Sequence, residues 1–282
     1  MIACRAGRIG LLLSALAALA PAGASAEDDP GAKKRLDVMR GAVENLDARA
    51  ADLKPEALAP APEPLLRYSD PTRGGVKDEF NNNVLVDATV WRLGAEGRPT
   101  GLVTLEIYRF PDGAQLLSYE FLSMTETRFA LKHKTEEWVR WDATGSGLAL
   151  KDLPDAPKPA ATAPARMAQM RKLARRFGAK ETYNGETVEC RLIAQPIDRY
   201  KSDAQKITDG AIFALANGTN PEIGIVLECG AEKWSYGVLR LSGAKTAITL
   251  DDKVVVAYEK FDSRGRRDGP YNSASHKIAP EK

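Results

Sequence analysis

Histidine and cysteine are scarce in this 282-residue chain, which has two histidines (His133 and His276) and three cysteines. Zinc sites draw several imidazole and thiolate ligands from short spacings, and no such spacing occurs, so no metal centre is expected. A Ser-His-acid triad would have only those two histidines and no Gly-x-Ser-x-Gly elbow for its nucleophile. Glycine-rich phosphate loops and EF-hand loops are missing too, so no cofactor is implied. Beyond the first 26 residues no run approaches the ~20 apolar residues of a transmembrane helix. One-sided charge is also lacking: the formal net charge is +2.

The N-terminus supplies the first positive feature. Arg5 and Arg8 precede an apolar run over residues 9–20, and Ala24-Ser25-Ala26 forms a small-x-small cleavage site. Residues 1–26 therefore read as a signal peptide, and the product is expected in the periplasm or outside a bacterial cell. Cleavage removes two arginines, no acid and Cys4. A balanced chain has no long-range field to steer it onto nucleic acid. A hydrophobic fraction of 44% suits a folded protein.

The chain also resembles itself. Asp87-Ala-Thr-Val-Trp-Arg-Leu93 matches Asp209-Gly-Ala-Ile-Phe-Ala-Leu215, and in the same frame Glu106 meets Glu228. Upstream, Pro64-Leu-Leu-Arg67-Tyr68 matches Pro196-Ile-Asp-Arg199-Tyr200, with an Asn-rich insertion (Asn81 to Asn83) making up the difference. Further upstream, Arg35-Leu36, Met39-Arg40 and Val43 match Arg166-Met167, Met170-Arg171 and Ala174. The segments predict an α+β protein of two tandem similar copies, 33–150 and 163–262. Each copy is an antiparallel sheet of about five strands with one packed helix, over 33–50 and 164–177, the second capped by Gly178. Period-2 alternation gives the strands, and Pro111-Asp112-Gly113 and Asp251-Asp252-Lys253 the turns. Residues 151–165, rich in proline and alanine, read as a linker, and 263–282 as a flexible tail.

The segments Arg199-Tyr200, Asp209-Gly-Ala-Ile-Phe-Ala and Gly218-Thr-Asn-Pro-Glu222 resemble an uncharacterised family of exported proteins of planctomycete-type bacteria. So do Leu66-Arg-Tyr-Ser-Asp-Pro71 and Asp87-Ala-Thr-Val-Trp91. The resemblance covers most of the chain after residue 26. It implies an envelope setting and no particular catalytic residues.

Candidate chemistry concentrates on the repeated polar positions: Arg67, Tyr68, Asp87 and Glu106, with Arg199, Tyr200, Asp209 and Glu228. Two carboxylates per copy suggest a glycosidase pair flanking a sugar cleft. The same pattern also suits structural ion pairs, with Arg67 and Arg199 holding Asp87 and Asp209 or backbone carbonyls. Glu106, opposite the apolar face, is then expected in solvent or against Arg67. Cys190 and Cys229 either form a disulfide, favoured in an oxidising compartment, or fill core positions as small hydrophobes. Arg166, Arg171, Lys172, Arg175 and Arg176 give the second helix a basic stripe, a candidate anion-binding face. Exposed members of the set Trp91, Trp138, Trp141, Tyr108, Tyr119, Trp234, Tyr236 and Tyr258 would suit carbohydrate stacking, although alternation sends several to the core. The leading expectation is a non-catalytic envelope protein that binds a protein partner or a cell-envelope polymer. The alternatives are a polysaccharide-acting hydrolase with paired carboxylates and an anion-binding module built on the helix at 164–177.

Overall fold

The structure, a computed structural model, describes residues 30–50, 58–70, 83–183, 185–262 and 268–280. The proposed signal peptide, Asn81, Asn82 and the start of the tail lie outside these residues. Helix α1 (Pro30–Glu44) leads into β1 (Leu46–Ala50), β2 (Leu66–Asp70), β3 (Val84–Leu93) and β4 (Gly101–Arg109). Then come β5 (Gln115–Ser123), β6 (Phe129–His133), β7 (Arg140–Ala143) and β8 (Lys151–Asp152). Helix α2 (Ala163–Ala174) precedes β9 (Phe177–Tyr183), β10 (Glu186–Leu192), β11 (Asp198–Ser202) and β12 (Ile207–Asn217). The chain continues through β13 (Asn220–Cys229), β14 (Trp234–Arg240), β15 (Lys245–Leu250) and β16 (Lys253–Tyr258) to β17 (Tyr271–Ile278).

Three antiparallel sheets result. One has five strands in the order β17-β5-β4-β3-β2, and one has three, β1-β6-β7. The third is a curled nine-stranded sheet running β16-β15-β9-β10-β12-β13-β14-β8, with β11 on β12. The five-stranded sheet packs face to face on β11–β14 through Leu85, Val90, Leu102, Ile212, Val226 and Leu239. Its other face is covered by α1 and the three-stranded sheet through Met39, Trp91, Leu105, Phe121 and Trp141. The outer face of β12–β14 is covered by α2, β9 and β15 through Met170, Phe213, Leu227 and Ile248. The inner strands are therefore buried on both faces, and all ten residues of β13 are buried.

The expected two tandem five-stranded α+β copies do not form. The fold is mostly β, with two helices among the described residues. The physical reason lies in β10. Residues 186–190 pair with β9, while Arg191 and Leu192 pair with β12, so one continuous strand fuses two layers into the nine-stranded sheet. The edges are also completed from elsewhere. Lys151 and Asp152, expected in a linker, pair with β14 as β8. The expected flexible tail supplies β17 along the whole of β5. The edge of β5 has backbone groups to satisfy, and a polar segment of ordinary sequence can meet that need.

Helix ends also differ. α1 stops at Glu44, and the buried, alternating Leu46 and Ala48 extend as β1 against β6. α2 starts where Thr162 accepts a hydrogen bond from the Ala165 amide at 3.4 Å, with proline in its first turn. Gly178 is not a cap: it lies within β9, opposite Thr249. The turn into β5 has Gly113 at φ 83°, and the turn into β16 places Asp251 and Asp252 at φ 48° and 63°. No helix among the described residues is long and apolar enough to cross a membrane.

Candidate functional site

The repeated polar residues fall at two corners where each helix meets a central sheet. At the first, Asp87 on β3 is 3% exposed and accepts from Arg67 Nε at 2.9 Å and Nη2 at 2.5 Å, and from Arg35 Nε of α1 at 3.0 Å. Arg67 also donates to the Ala32 carbonyl at 2.6 Å, tying β2 to the helix. At the second, Asp209 on β12 is 4% exposed and accepts from Arg199 at 3.0 and 2.8 Å and from Arg166 Nε of α2 at 3.0 Å. Arg199 donates to the Ala163 carbonyl at 3.0 Å. Each aspartate carries two guanidinium partners, and each β-strand arginine also satisfies a carbonyl of the first helical turn.

The glutamates lie one layer deeper, between the sheets. Glu106 is 5% exposed and accepts from Tyr68 Oη at 3.0 Å and Tyr108 Oη at 2.8 Å, so it is buried against tyrosines rather than solvent-facing. Glu228, also 5% exposed, accepts from Tyr200 Oη at 2.7 Å and from both arms of Arg98 at 2.7 Å. Burial and the adjacent carboxylates hold the Tyr68 and Tyr200 phenols well above their usual range. Tyr200 lies over Gly210, where an added Cβ would meet the ring at 2.5 Å. The Gly210 position therefore follows from the tyrosine's reach to Glu228. A depression of about 290 Å³ opens beside Arg166, Arg199, Lys201 and Asp209, but Arg199 and Arg166 spend their Nε groups on Asp209.

Cys190 and Cys229 are both buried and are not joined to each other, so the expected disulfide does not form. Cys190 stands on β10 opposite Ala179 of β9, and Cys229 on β13 between Asp209 and Trp234. Burial pushes the Cys229 thiol up to about 11, away from nucleophilic character. The basic stripe of α2 is broken. Arg166 is held by Asp209, Arg171 donates to Gln195, and Arg176 binds Asp251 and the Pro154 carbonyl. Only Lys172 and Arg175 remain fully exposed. Of the aromatic set, Trp91, Trp141, Trp234, Tyr119 and Tyr236 are buried, whereas Trp138 is 53% exposed.

Two groupings escape sequence reasoning. His133 on β6 and His276 on β17 face one another with ring centroids 6.2 Å apart, and Tyr119 stands 5.6 Å from His276 and 6.2 Å from His133. His133 Nδ1 accepts from the Glu136 amide at 3.1 Å, which leaves the proton of the neutral ring on Nε2. Desolvation lowers both imidazoles below their usual value, and in His133 the charge of His276 adds to the effect.

The second grouping is a groove around Trp138. The turn from β6 to β7 is pinned by fully buried Val139, which donates to Glu136 O at 2.9 Å and accepts from His133 N at 2.8 Å. Trp138 is thereby held outward on a braced backbone. With Arg140, Ser118, Asn272, Ser273 and Ser275 it lines a polar groove of about 270 Å³ along β17. Arg140 also lines a second depression of about 450 Å³ on the outer face of the three-stranded sheet, with Asp47, Arg49, Lys132 and Asp142. There Arg49 binds Asp47 at 2.9 Å and Arg128 binds Asp142. These arginines hold both aspartates below the usual carboxylate range, so neither is suited to be a general acid.

No protein-family model, curated protein or solved structure matches this chain.

Proposed function

We propose that this is a non-catalytic exported protein that binds a partner or polymer of the cell envelope. The observation that carries this reading is the burial of Asp87, Glu106, Asp209 and Glu228 with arginine or tyrosine partners on each. Glycoside hydrolysis needs one carboxyl kept protonated beside a second across an open cleft. Asp209 borders a depression but is bound there by Arg166 and Arg199, and Asp47 and Asp142, which line another, are held ionised by arginine. The matched hydrogen bonds at the two corners support an inherited, duplicated polar motif whose role is to lock helix to sheet. The broken basic stripe speaks against an anion-binding helix. Export rests on residues 1–26 and on the resemblance to exported bacterial proteins.

The test of non-catalysis offers the purified protein a set of envelope polysaccharides and measures reducing ends released. No turnover is expected. Turnover lost in folded Asp87→Asn or Glu106→Gln would overturn the reading. For export, N-terminal sequencing of protein recovered from the periplasm or medium should begin at Glu27. Retention of the whole pool in the cytoplasm with residues 1–26 intact would refute it.

A further inference from the structure

We propose that the groove built by Trp138, Arg140 and strand β17 binds a carboxylate-bearing saccharide, which gives the binding reading above its ligand class. Trp138 is the one indole among the large exposed hydrophobic side chains. Its turn is braced by Val139 and by the Arg140 amide, which donates to Trp138 O at 3.0 Å. The backbone of the turn thus has little conformational freedom left to lose on binding. A flat aromatic face on a rigid turn suits the apolar face of a pyranose. Ser118, Ser273 and Ser275 also line the groove, and serine hydroxyls are donors and acceptors of the kind that sugar hydroxyls need. Asn272, which also borders this groove, is 2% exposed.

Charge sets the ligand class. On this face Asp47 and Asp142 are occupied by Arg49 and Arg128, while Arg140 forms no ion pair among the described residues. A guanidinium fork beside a stacking ring matches the planar carboxylate of a uronic acid-type sugar in two parallel hydrogen bonds. Because Arg140 lines both depressions, the track continues past one sugar unit onto the three-stranded sheet. Together the two fall within the ~300–1,000 Å³ typical of small-molecule sites.

The experiment is affinity electrophoresis of the full chain in gels containing polygalacturonate, dextran or polyglutamate, alongside Trp138→Ala and Arg140→Gln. Both side chains are exposed, so both variants should keep the wild-type melting temperature. Retardation is expected with polygalacturonate and not with dextran. Each substitution should weaken it by about tenfold, the worth of one charged hydrogen bond or one aromatic contact. Acrylamide quenching of the exposed indole should fall in the presence of polygalacturonate. Absence of retardation, equal retardation by dextran or polyglutamate, or retardation indifferent to both substitutions would each overturn the assignment. If the protein instead shortens polygalacturonate, the non-catalytic reading fails and the ligand class stands.

Discussion

At the scale of single residues, the two aspartates at the helix–sheet corners carry the most concentrated stabilisation. Asp87 and Asp209 are almost fully buried, and each neutralises two guanidinium groups that would otherwise face one another. Removing one partner from a buried charge network leaves the others uncompensated, at about 3–5 kcal/mol. Asp209→Ala should lower stability by that order in urea titration. Tyr200→Phe, which loses one hydroxyl to Glu228, should cost only about 1–3 kcal/mol. Equal losses in the two variants would contradict this ordering. The thiols give an independent check. In the chain without residues 1–26, Cys190 and Cys229 should react with a thiol reagent only after unfolding, two equivalents in all, because both are buried and the Cys229 thiol is pushed up to about 11. The pairing of Arg67 with Asp87 was legible in the sequence because the same two residue types recur in the same order at Arg199 and Asp209, inside matching flanking segments. The partner of Glu106 was not. Alternation sends Glu106 away from the apolar face, and sequence gives no sign that a second sheet waits there.

At the scale of elements, β17 is the least expected and the most exposed to test. Its residues are mostly serine, asparagine, histidine and lysine, and no hydrophobic alternation announces a strand. The structure uses it because β5 needs a partner and because the residues just before it receive groups from β7. Trp141 Nε1 donates to Gly269 O at 2.8 Å, and the Thr144 amide donates to Asp268 O at 3.1 Å. Helix α2 was legible to within a few residues, by contrast, because Thr162, Pro164 and the spacing of Met167, Met170 and Ala174 are local signals. β17 also carries a pH dependence. His276 and His133 approach each other, with Tyr119 beside them and the charges of Glu136 and Lys134 nearby. Both imidazoles titrate below the usual 6.5 in the folded protein, so the unfolded chain binds protons first as pH falls. Their contribution to stability is therefore full above that usual value and is lost as pH drops through it toward the lowered values. As pH falls from 7.5 to 5 these imidazoles pull the urea midpoint down, whereas buried Glu120, raised by desolvation, pulls it up, so His276→Phe should make the midpoint fall less or rise more. An unchanged slope in the variant would show that other groups govern the acid limb.

At the scale of the whole molecule, the question is whether the sequence halves are separate bodies. Their likeness in sequence suggested units in tandem, and the corner hydrogen bonds do match pair by pair. The packing, however, joins them. Leu85, Val90 and Leu102 interlock with Ile212, Val226 and Leu239 in one sandwich core. Two charge pairs cross it, the buried Arg92 to Asp198 at 2.9 Å and the half-buried Arg98 to Glu228 at 2.7 Å. None of these contacts has a local signal, since each links residues more than a hundred positions apart. Edge strands are exchanged as well, because β17 follows the second half in sequence yet completes the sheet of the first. A half expressed alone would expose the central apolar face, and the 30–150 fragment would also leave β5 without its partner. The full chain should therefore unfold in a single calorimetric transition, with calorimetric and van't Hoff enthalpies equal. Fragments 30–150 and 163–262 made separately should aggregate or bind a hydrophobic dye. Two resolved transitions in the full chain, or a cooperatively folded fragment, would show that the sandwich core does not unite the halves. Arg92→Ala should sharpen the test, because it leaves Asp198 buried without its guanidinium. It should lower the midpoint of the whole transition rather than split off one half.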